Sequence, residues 1–227
     1  MNKLITHNLL YDFTLPTLYT GAGMEYTRGK WLVKWMLNNM NTSKRNANER
    51  APAFAYRVDY SKGEFNGFGF AGVHGKAANF SQSKTHIEKA LDPSTGTVID
   101  IAVPDAQPDS RIDLFEADAY FIRGDLTWQG QFTWGRQRRA SITPDPITGD
   151  LRDAQWTGLS TLLAYKVIPR WEVTGRLDHV RNAKNGGGML GYTVADDRNG
   201  WGPDPAGEPE KGTNRTALAL GLSWQFN

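Results

Sequence analysis

Apolar and polar residues alternate strictly over the last part of the chain. Leu218, Leu220, Leu222, Trp224 and Phe226 are separated by single small or polar residues over 217–226. A period of two places alternate side chains on opposite faces of a β-strand. The segment therefore predicts a strand with one apolar face and one small or polar face.

Four other segments repeat this alternation on both sides of a short turn. Gly, Asp, Ser and Pro supply the turn chemistry, which predicts four antiparallel hairpins. The predicted turns lie at 28–30, 61–63, 123–125 and 168–170. Together with the last strand, this makes nine strands from Leu18 onward. A tenth is predicted over 3–13, where Ile5, Leu9, Tyr11 and Phe13 are apolar.

The connections between the hairpins are long and polar. They run over about 39–51, 75–110, 137–153 and 182–213. Such loops are uncommon in compact soluble domains, whereas outer-membrane barrels combine short periplasmic turns with long external loops. The pattern predicts an all-β, antiparallel up-and-down transmembrane β-barrel of about ten strands. The apolar stretch 98–103 in the longest loop is compatible with a constriction inside the barrel or, preferably, a small hairpin outside it.

Charged residues occupy the face of each strand that is opposite to the apolar face. Both signs are present, which suits a wet interior that selects solutes by size and charge. A ladder of salt bridges that braces the barrel wall is the structural alternative. The predicted pore-lining residues are Lys34, Arg57, Asp59, Glu116, Asp118, Glu172, Arg176 and Asp178.

A soluble β-sandwich would show the same alternation, with its apolar faces joined in one core and its charges in water. The positions of the aromatic residues favour lipid instead, because seven of them lie beside the short turns as a membrane-interface girdle does. These residues are Tyr26, Trp31, Tyr60, Phe121, Tyr165, Trp171 and Phe226. A closed barrel is the only sheet that satisfies its backbone hydrogen bonds in a bilayer.

Composition excludes several classes of protein. The apolar share is 39%, and no run approaches the roughly 20 apolar residues of a spanning helix. Cysteine is absent, which removes disulfides, thiol nucleophiles and thiolate metal sites. A net charge of +2 gives no indication of a nucleic-acid partner. No apolar signal stretch follows Met1, so we expect any export signal to lie outside this sequence.

No catalytic or metal site is predicted. The four histidines are scattered, and no serine lies in a nucleophile elbow, so we expect no enzyme activity and no cofactor. Asp92, Ser94 and Asp100 do not match a twelve-residue Ca²⁺ loop, nor do Asp196, Asp197 and Asn199. We interpret both groups as turn residues.

Two parts of the chain resemble Gram-negative outer-membrane porins. The stretches PTLYTGAGMEY (16–26) and KWLVKWMLNN (30–39) resemble a strand–turn–strand near the middle of such a barrel. The stretches GRLDHVRNAKNGGG (175–188) and DRNGWGP (197–203) resemble the penultimate strand and its loop. The chain is similar to the OmpL-like β-barrel porins and to a related proteobacterial family of unknown function.

The resemblance implies a bacterial outer-membrane channel for passive diffusion of small hydrophilic solutes. It implies one barrel domain over 1–227 that is the C-terminal portion of a longer barrel, in contact with outer-membrane lipid. The barrel assembly machinery would read its C-terminal strand, although Asn227 follows Phe226 where such barrels usually end in an aromatic residue. A homo-oligomer is left open. The alternative is a non-conducting binding or adhesion barrel that acts through loops 75–110 and 182–213.

A basic cluster lies where one strand meets an external loop. Arg136, Arg138 and Arg139 stand at the height of lipopolysaccharide phosphates, for which guanidinium groups are suited. The alternative is an ordinary solvated loop. A charge reversal that left lipopolysaccharide binding unchanged would exclude the contact.

Overall fold

The computed structural model describes residues 4, 7–14, 19–40, 52–77, 85–104, 109–141, 144–185 and 213–224. These residues form eleven strands and one short helix. The helix is α1 (Leu9–Phe13). The strands are β1 (Tyr19–Arg28), β2 (Trp31–Met40), β3 (Pro52–Ser61), β4 (Asn66–Ala77), β5 (Thr85–Leu91), β6 (Val98–Pro104), β7 (Ser110–Arg123), β8 (Leu126–Gln137), β9 (Ala154–Ile168), β10 (Trp171–Lys184) and β11 (Arg215–Trp224).

Nine of these strands form one antiparallel sheet in the order β1-β2-β3-β4-β7-β8-β9-β10-β11. Apart from the β5–β6 excursion, each strand pairs with its neighbours in sequence, which is an up-and-down topology. The four predicted short turns are confirmed, with strand ends within a few residues of the expected positions. Of the long connections, the one between β8 and β9 is confirmed and the one between β4 and β7 contains β5 and β6, whereas 41–51 and most of 182–213 lie outside the described residues. The predicted all-β, up-and-down fold class is confirmed, and the arrangement is consistent with a porin-type barrel.

The edges of the sheet are β1 and β11, which are not paired with each other within the described residues. In an up-and-down sheet of nine strands, the first and the last run in the same direction. Antiparallel closure would therefore need one further strand between them.

The predicted tenth strand is wrong over residues 9–13, which form α1, while residues 3, 5 and 6 lie outside the described part of the chain. Asn8 caps this helix, because its side chain accepts a hydrogen bond from the Tyr11 N–H at 2.7 Å. The adjacent Leu9 and Leu10 break the period of two, and Leu10 is fully buried. The segment is thus a helical turn packed on the sheet.

The longest loop contains the hairpin that the sequence favoured over a constriction. Strands β5 and β6 form their own two-stranded sheet. Ile87 and Val98 on it are 71% and 64% exposed, so these side chains are not packed in an interior.

The two faces of the main sheet differ sharply in exposure. We call the face that carries α1 and the eight predicted pore-lining residues the inward face. On it, Arg176 and Asp178 are only 6% and 1% exposed, whereas Leu163 and Leu222 on the outward face are 51% and 65% exposed. A soluble sandwich requires the opposite arrangement, with the apolar faces packed in a common core. The structure therefore contradicts that alternative for the described residues.

A small apolar core lies on the inward face at the long-loop end of the sheet. Its largest member is Trp156, which is fully buried with Leu10 and Val180. The Trp156 indole covers Gly135, its register partner on β8, and any side chain at that position would overlap the ring. The charged side chains of the inward face lie nearer the middle of the strands.

Candidate functional site: the inward face of the sheet

An arginine and two carboxylates form an ion-pair cluster across three strands. Arg57 Nη2 lies 2.7 Å from Asp59 Oδ1 on the same strand and 2.8 Å from Asp118 Oδ2 on β7. Strand β4 runs between them, with Gly69 in register with both aspartates. A Cβ on Gly69 would lie 2.7 Å from Arg57 Nη2, so the missing side chain leaves the gap through which the pair meets.

A second pair of opposite charges lies beside the first edge of the sheet. Lys34 Nζ on β2 is 2.9 Å from Glu25 Oε2 on β1, and both side chains are about half exposed. Lys34 is also in register with Arg57 on the next strand. The inward wall of β1–β4 and β7 thus carries both charge signs at one level.

Gln131 connects this wall to the N-terminal segment. Its amide Nε2 donates a hydrogen bond to Glu116 on β7, and its Oε1 accepts one from Asn8 Nδ2 at 2.7 Å. Glu116 is therefore held by a neutral partner and is not part of an ion pair with Arg57.

Arg176 and Asp178 on β10 hold the start of α1. Asp178 accepts hydrogen bonds from Arg176 Nε at 3.0 Å, Ser160 Oγ at 2.6 Å and the Leu9 N–H at 3.3 Å. Arg176 Nη2 donates to the carbonyl oxygen of His7 at 2.6 Å. A carboxylate at this end also suits the positive end of the helix dipole. The buried ion pair therefore acts as an anchor for α1.

The far end of α1 is attached to β8 and β9. Thr133 Oγ1 donates to Thr14 Oγ1 at 3.1 Å between buried side chains. Leu10 lies over Gly158, where an added Cβ would be 2.9 Å from Leu10 Cγ. Both ends of the helix are thus fixed to the inward face over β8–β10.

A cavity of about 590 Å³ remains on the other side of α1. Tyr11 borders it, and its opposite wall includes Lys34, Arg57 and Glu116 together with apolar side chains such as Met36. A space of this size is typical of sites that hold small molecules. The cavity combines ionic groups of both signs with an apolar lining.

A family model matches residues 1–223. This chain belongs to the DUF3138 family, described as proteins of unknown function. No curated protein matches the DUF3138 chain. Among solved structures, it is similar to the NanC porin in a rhombohedral crystal form, at 12% identity and a TM-score of 0.42, over 90% of this chain and 76% of that one. The resemblance to OmpL-like porins is not tested by these matches and stays a prediction.

The structure places the predicted pore-lining residues of this DUF3138 chain in three locations. Lys34, Arg57, Asp59, Glu116 and Asp118 share one wall of the inward face. Arg176 and Asp178 lie under α1, while Glu172 lies near the short turn that precedes β10, in register with Lys166. Arg176 and Asp178 are 6% and 1% exposed beneath α1, so the structure does not open these two to a lumen. Lining of a pore stays a prediction for the other six.

Several partners that organise this site are not evident from the amino-acid sequence. Gly69, Gln131 and Ser160 carry no signal of their own, because their roles depend on strand register. Asn8 did carry one, since asparagine before an apolar run is a typical helix N-cap. That signal would have indicated α1.

The three arginines proposed for lipid phosphates lie at the long-loop rim of this DUF3138 chain. Arg136 forms an ion pair with Asp153, and the Arg139 N–H donates to Asp153 Oδ1 at 3.2 Å. These contacts hold the pKa of Asp153 below its usual value, against its partial burial. Lys76 and Arg111 are exposed on neighbouring strands in register with each other, so the basic region is wider than the sequence alone indicated.

The prediction of a turn residue is wrong for Asp100, which lies within β6 in register with Lys89. Asp92 and Asp145 are turn residues. Asp92 accepts hydrogen bonds from the Ser94 hydroxyl, the Ser94 N–H and the Thr95 hydroxyl, which lowers its pKa to about 2. The Ile147 and Thr148 N–H groups lower the pKa of Asp145 in the same way. Within the part of the chain that the structure describes, no group of three or more His, Cys, Asp or Glu residues is placed to hold a metal ion. The other predicted turn group, at Asp196, Asp197 and Asn199, lies outside the described residues.

Proposed function

We propose that this chain is part of an outer-membrane, porin-like channel through which small hydrophilic solutes diffuse. One observation carries the proposal: over the middle of each strand of the main sheet, large apolar side chains are exposed on one face, and the ionic side chains that occur there lie on the other face. Exposed examples from β1 to β11 are Met24, Trp35, Phe54, Phe68, Phe115, Phe132, Leu163, Leu177 and Leu222. Exposed apolar surface of this extent marks a face that contacts lipid or a partner.

Aromatic contacts beside the short turns support lipid as the surrounding medium. The rings of Trp31 and Tyr60 are 4.8 Å apart, and Tyr60 is 5.3 Å from Phe68. Trp171 stacks on Trp224 at 5.8 Å near the other edge. Aromatic residues at one height of a sheet are typical of barrel interfaces with the headgroup region. Phe226, which was expected in the same girdle, lies outside the described residues.

The inward face supplies the polar lining that such a channel needs. Arg57 is partly exposed and faces two aspartates, and Lys34 faces Glu25. Fixed charges of both signs give a wet lining that discriminates solutes by size and charge, with no chemical step.

Conductance in planar lipid bilayers tests the proposal. We expect discrete conductance steps from the refolded full-length protein, of which this chain is the proposed C-terminal portion. Arg57→Gln should increase the preference for cations, because Asp59 and Asp118 then lose their counter-charge. Lys62→Gln removes one positive charge from an exposed turn and should leave selectivity unchanged. Folded protein that gives no steps would contradict the channel.

A non-conducting binding barrel is the second candidate function. The β5–β6 hairpin supports it, because its exposed apolar residues offer a contact surface within the 75–110 connection. The other connection, 182–213, lies mostly outside the described residues. Absence of conductance from an intact fold would favour this candidate.

Further predictions concern the size of the barrel, its insertion and oligomeric state, and the membrane in which it lies. Within the described residues the main sheet has nine strands, and an antiparallel closure of these nine needs a further strand. That this chain is the C-terminal portion of a longer barrel stays a prediction. Insertion by the assembly machinery, a homo-oligomeric state and contact of Arg136, Arg138 and Arg139 with lipopolysaccharide stay predictions. Fractionation of the full-length protein into outer and inner membranes tests the location.

A further inference from the structure

The position of α1 divides the inward side of the sheet into a filled part and an open part. Toward the long-loop end of β8–β10 the space is occupied, since Leu10 and Trp156 are fully buried there. Over β1–β4 and β7 the cavity of about 590 Å³ remains, and Tyr11 forms its border on the α1 side.

Tyr11 is fixed at its backbone N–H through Asn8. Its N–H donates to the Asn8 side chain, and Asn8 is itself bonded to Gln131. The phenol ring is half exposed and stacks edge-on with the His7 ring at 5.1 Å. The aromatic ring therefore projects from a fixed helix toward the wall that carries Lys34, Arg57 and Glu116.

From this arrangement we propose that α1 is a built-in constriction of the channel and that Tyr11 is the side chain that limits its free width. The inference rests on the proposed function. Solutes would pass between Tyr11 and the charged wall of β1–β4 and β7, not on the side of α1 that packs on β8–β10. Arg176 and Asp178 are then positioning residues that keep α1 in place and do not contact the solute.

Chemical modification at residue 11 tests the constriction, because the sequence contains no cysteine. Tyr11→Cys channels in planar bilayers are treated with cationic, neutral and anionic methanethiosulfonate reagents, and labelling is verified by mass. We expect conductance to fall by about twofold or more with a bulky neutral label. The cationic and anionic labels should shift ion selectivity in opposite directions. Lys62→Cys, in an exposed turn away from the cavity, serves as the matched control and should show neither effect.

A disulfide measures whether α1 stays in place during conduction. Thr14→Cys/Thr133→Cys replaces two hydroxyls that are 3.1 Å apart. We expect the disulfide to form on oxidation and the conductance to remain equal before and after reduction. A higher conductance after reduction would show that α1 leaves the interior, which would overturn a fixed constriction.

The outcomes separate this inference from the proposed function. Wild-type protein that conducts, with labels at residue 11 that change nothing, would overturn the constriction alone. Folded wild-type protein without conductance would overturn the channel, and the constriction with it, whatever the disulfide shows about the position of α1.

Discussion

Asp178→Ala is expected to destabilise the protein by about 3–5 kcal/mol, the range for breaking a buried ion pair by removing one partner. The carboxylate is 1% exposed, and Arg176, Ser160 and the Leu9 N–H all donate to it. Alanine would leave the arginine charge without this partner in a buried site and would release the start of α1. Denaturant unfolding of the protein in detergent micelles or lipid vesicles measures the loss.

The Lys34–Glu25 pair provides the matched control for this prediction. Its ion pair is as short, 2.9 Å, but both side chains are about half exposed. Exposed pairs contribute about 1 kcal/mol or less, so Glu25→Ala should cost no more than that. If Asp178→Ala and Glu25→Ala lowered the free energy of unfolding equally, the assigned burial of Asp178 would be contradicted, and with it the anchoring of α1.

Leu163→Arg is expected to cost about 2–4 kcal/mol in a lipid bilayer, which is the penalty for a cation at the bilayer midplane on the lipid face of a barrel. Leu163 lies within β9 on the outward face and is half exposed. Gln129→Arg is the control, since Gln129 lies on the inward face of the adjoining strand, in register with Leu162. That variant should cost clearly less, because its charge would meet a wet interior.

Unfolding in vesicles of defined thickness measures both arginine variants. On a water-facing sheet, a surface substitution such as Leu163→Arg would stay within about 0.5 kcal/mol of the parent protein. A cost for Leu163→Arg no larger than that of Gln129→Arg would therefore contradict contact with hydrocarbon.

The strands of this protein were predictable because their signal is local. Alternation around Gly29, Gly124 and Pro169 defines each hairpin within some twenty residues. The long connections follow from composition. Residues 98–103 were ambiguous, since an apolar run in a loop can pack inside or pair outside, and only the register with β5 decides for the hairpin.

The helix α1 was not predictable from the apolar pattern, because five residues are too short to distinguish a period of 2 from one of 3.6. Its stability comes from tertiary contacts, chiefly Asp178 and Thr133, which are more than a hundred residues away along the chain. Tertiary contact overrides local preference here.

The sequence predicted which site residues share a face of the sheet, but not which of them contact each other across strands. Residues two apart, such as Arg176 and Asp178, share a face in any strand, and they do so here. The contact of Arg57 with Asp118 instead depends on the registers of β3, β4 and β7 and on the gap at Gly69. No single-sequence pattern encodes a register across three strands.

The proposed channel requires that hydrocarbon covers the outward face of the sheet. Single cysteines in place of Leu163 and Gln129, each carrying a nitroxide, allow a direct test in lipid vesicles. We expect the label at 163 to collide more often with oxygen, which concentrates in hydrocarbon, and the label at 129 to collide more often with a water-soluble nickel chelate. Free access of the nickel chelate to position 163 in the vesicle-bound protein would contradict this expectation.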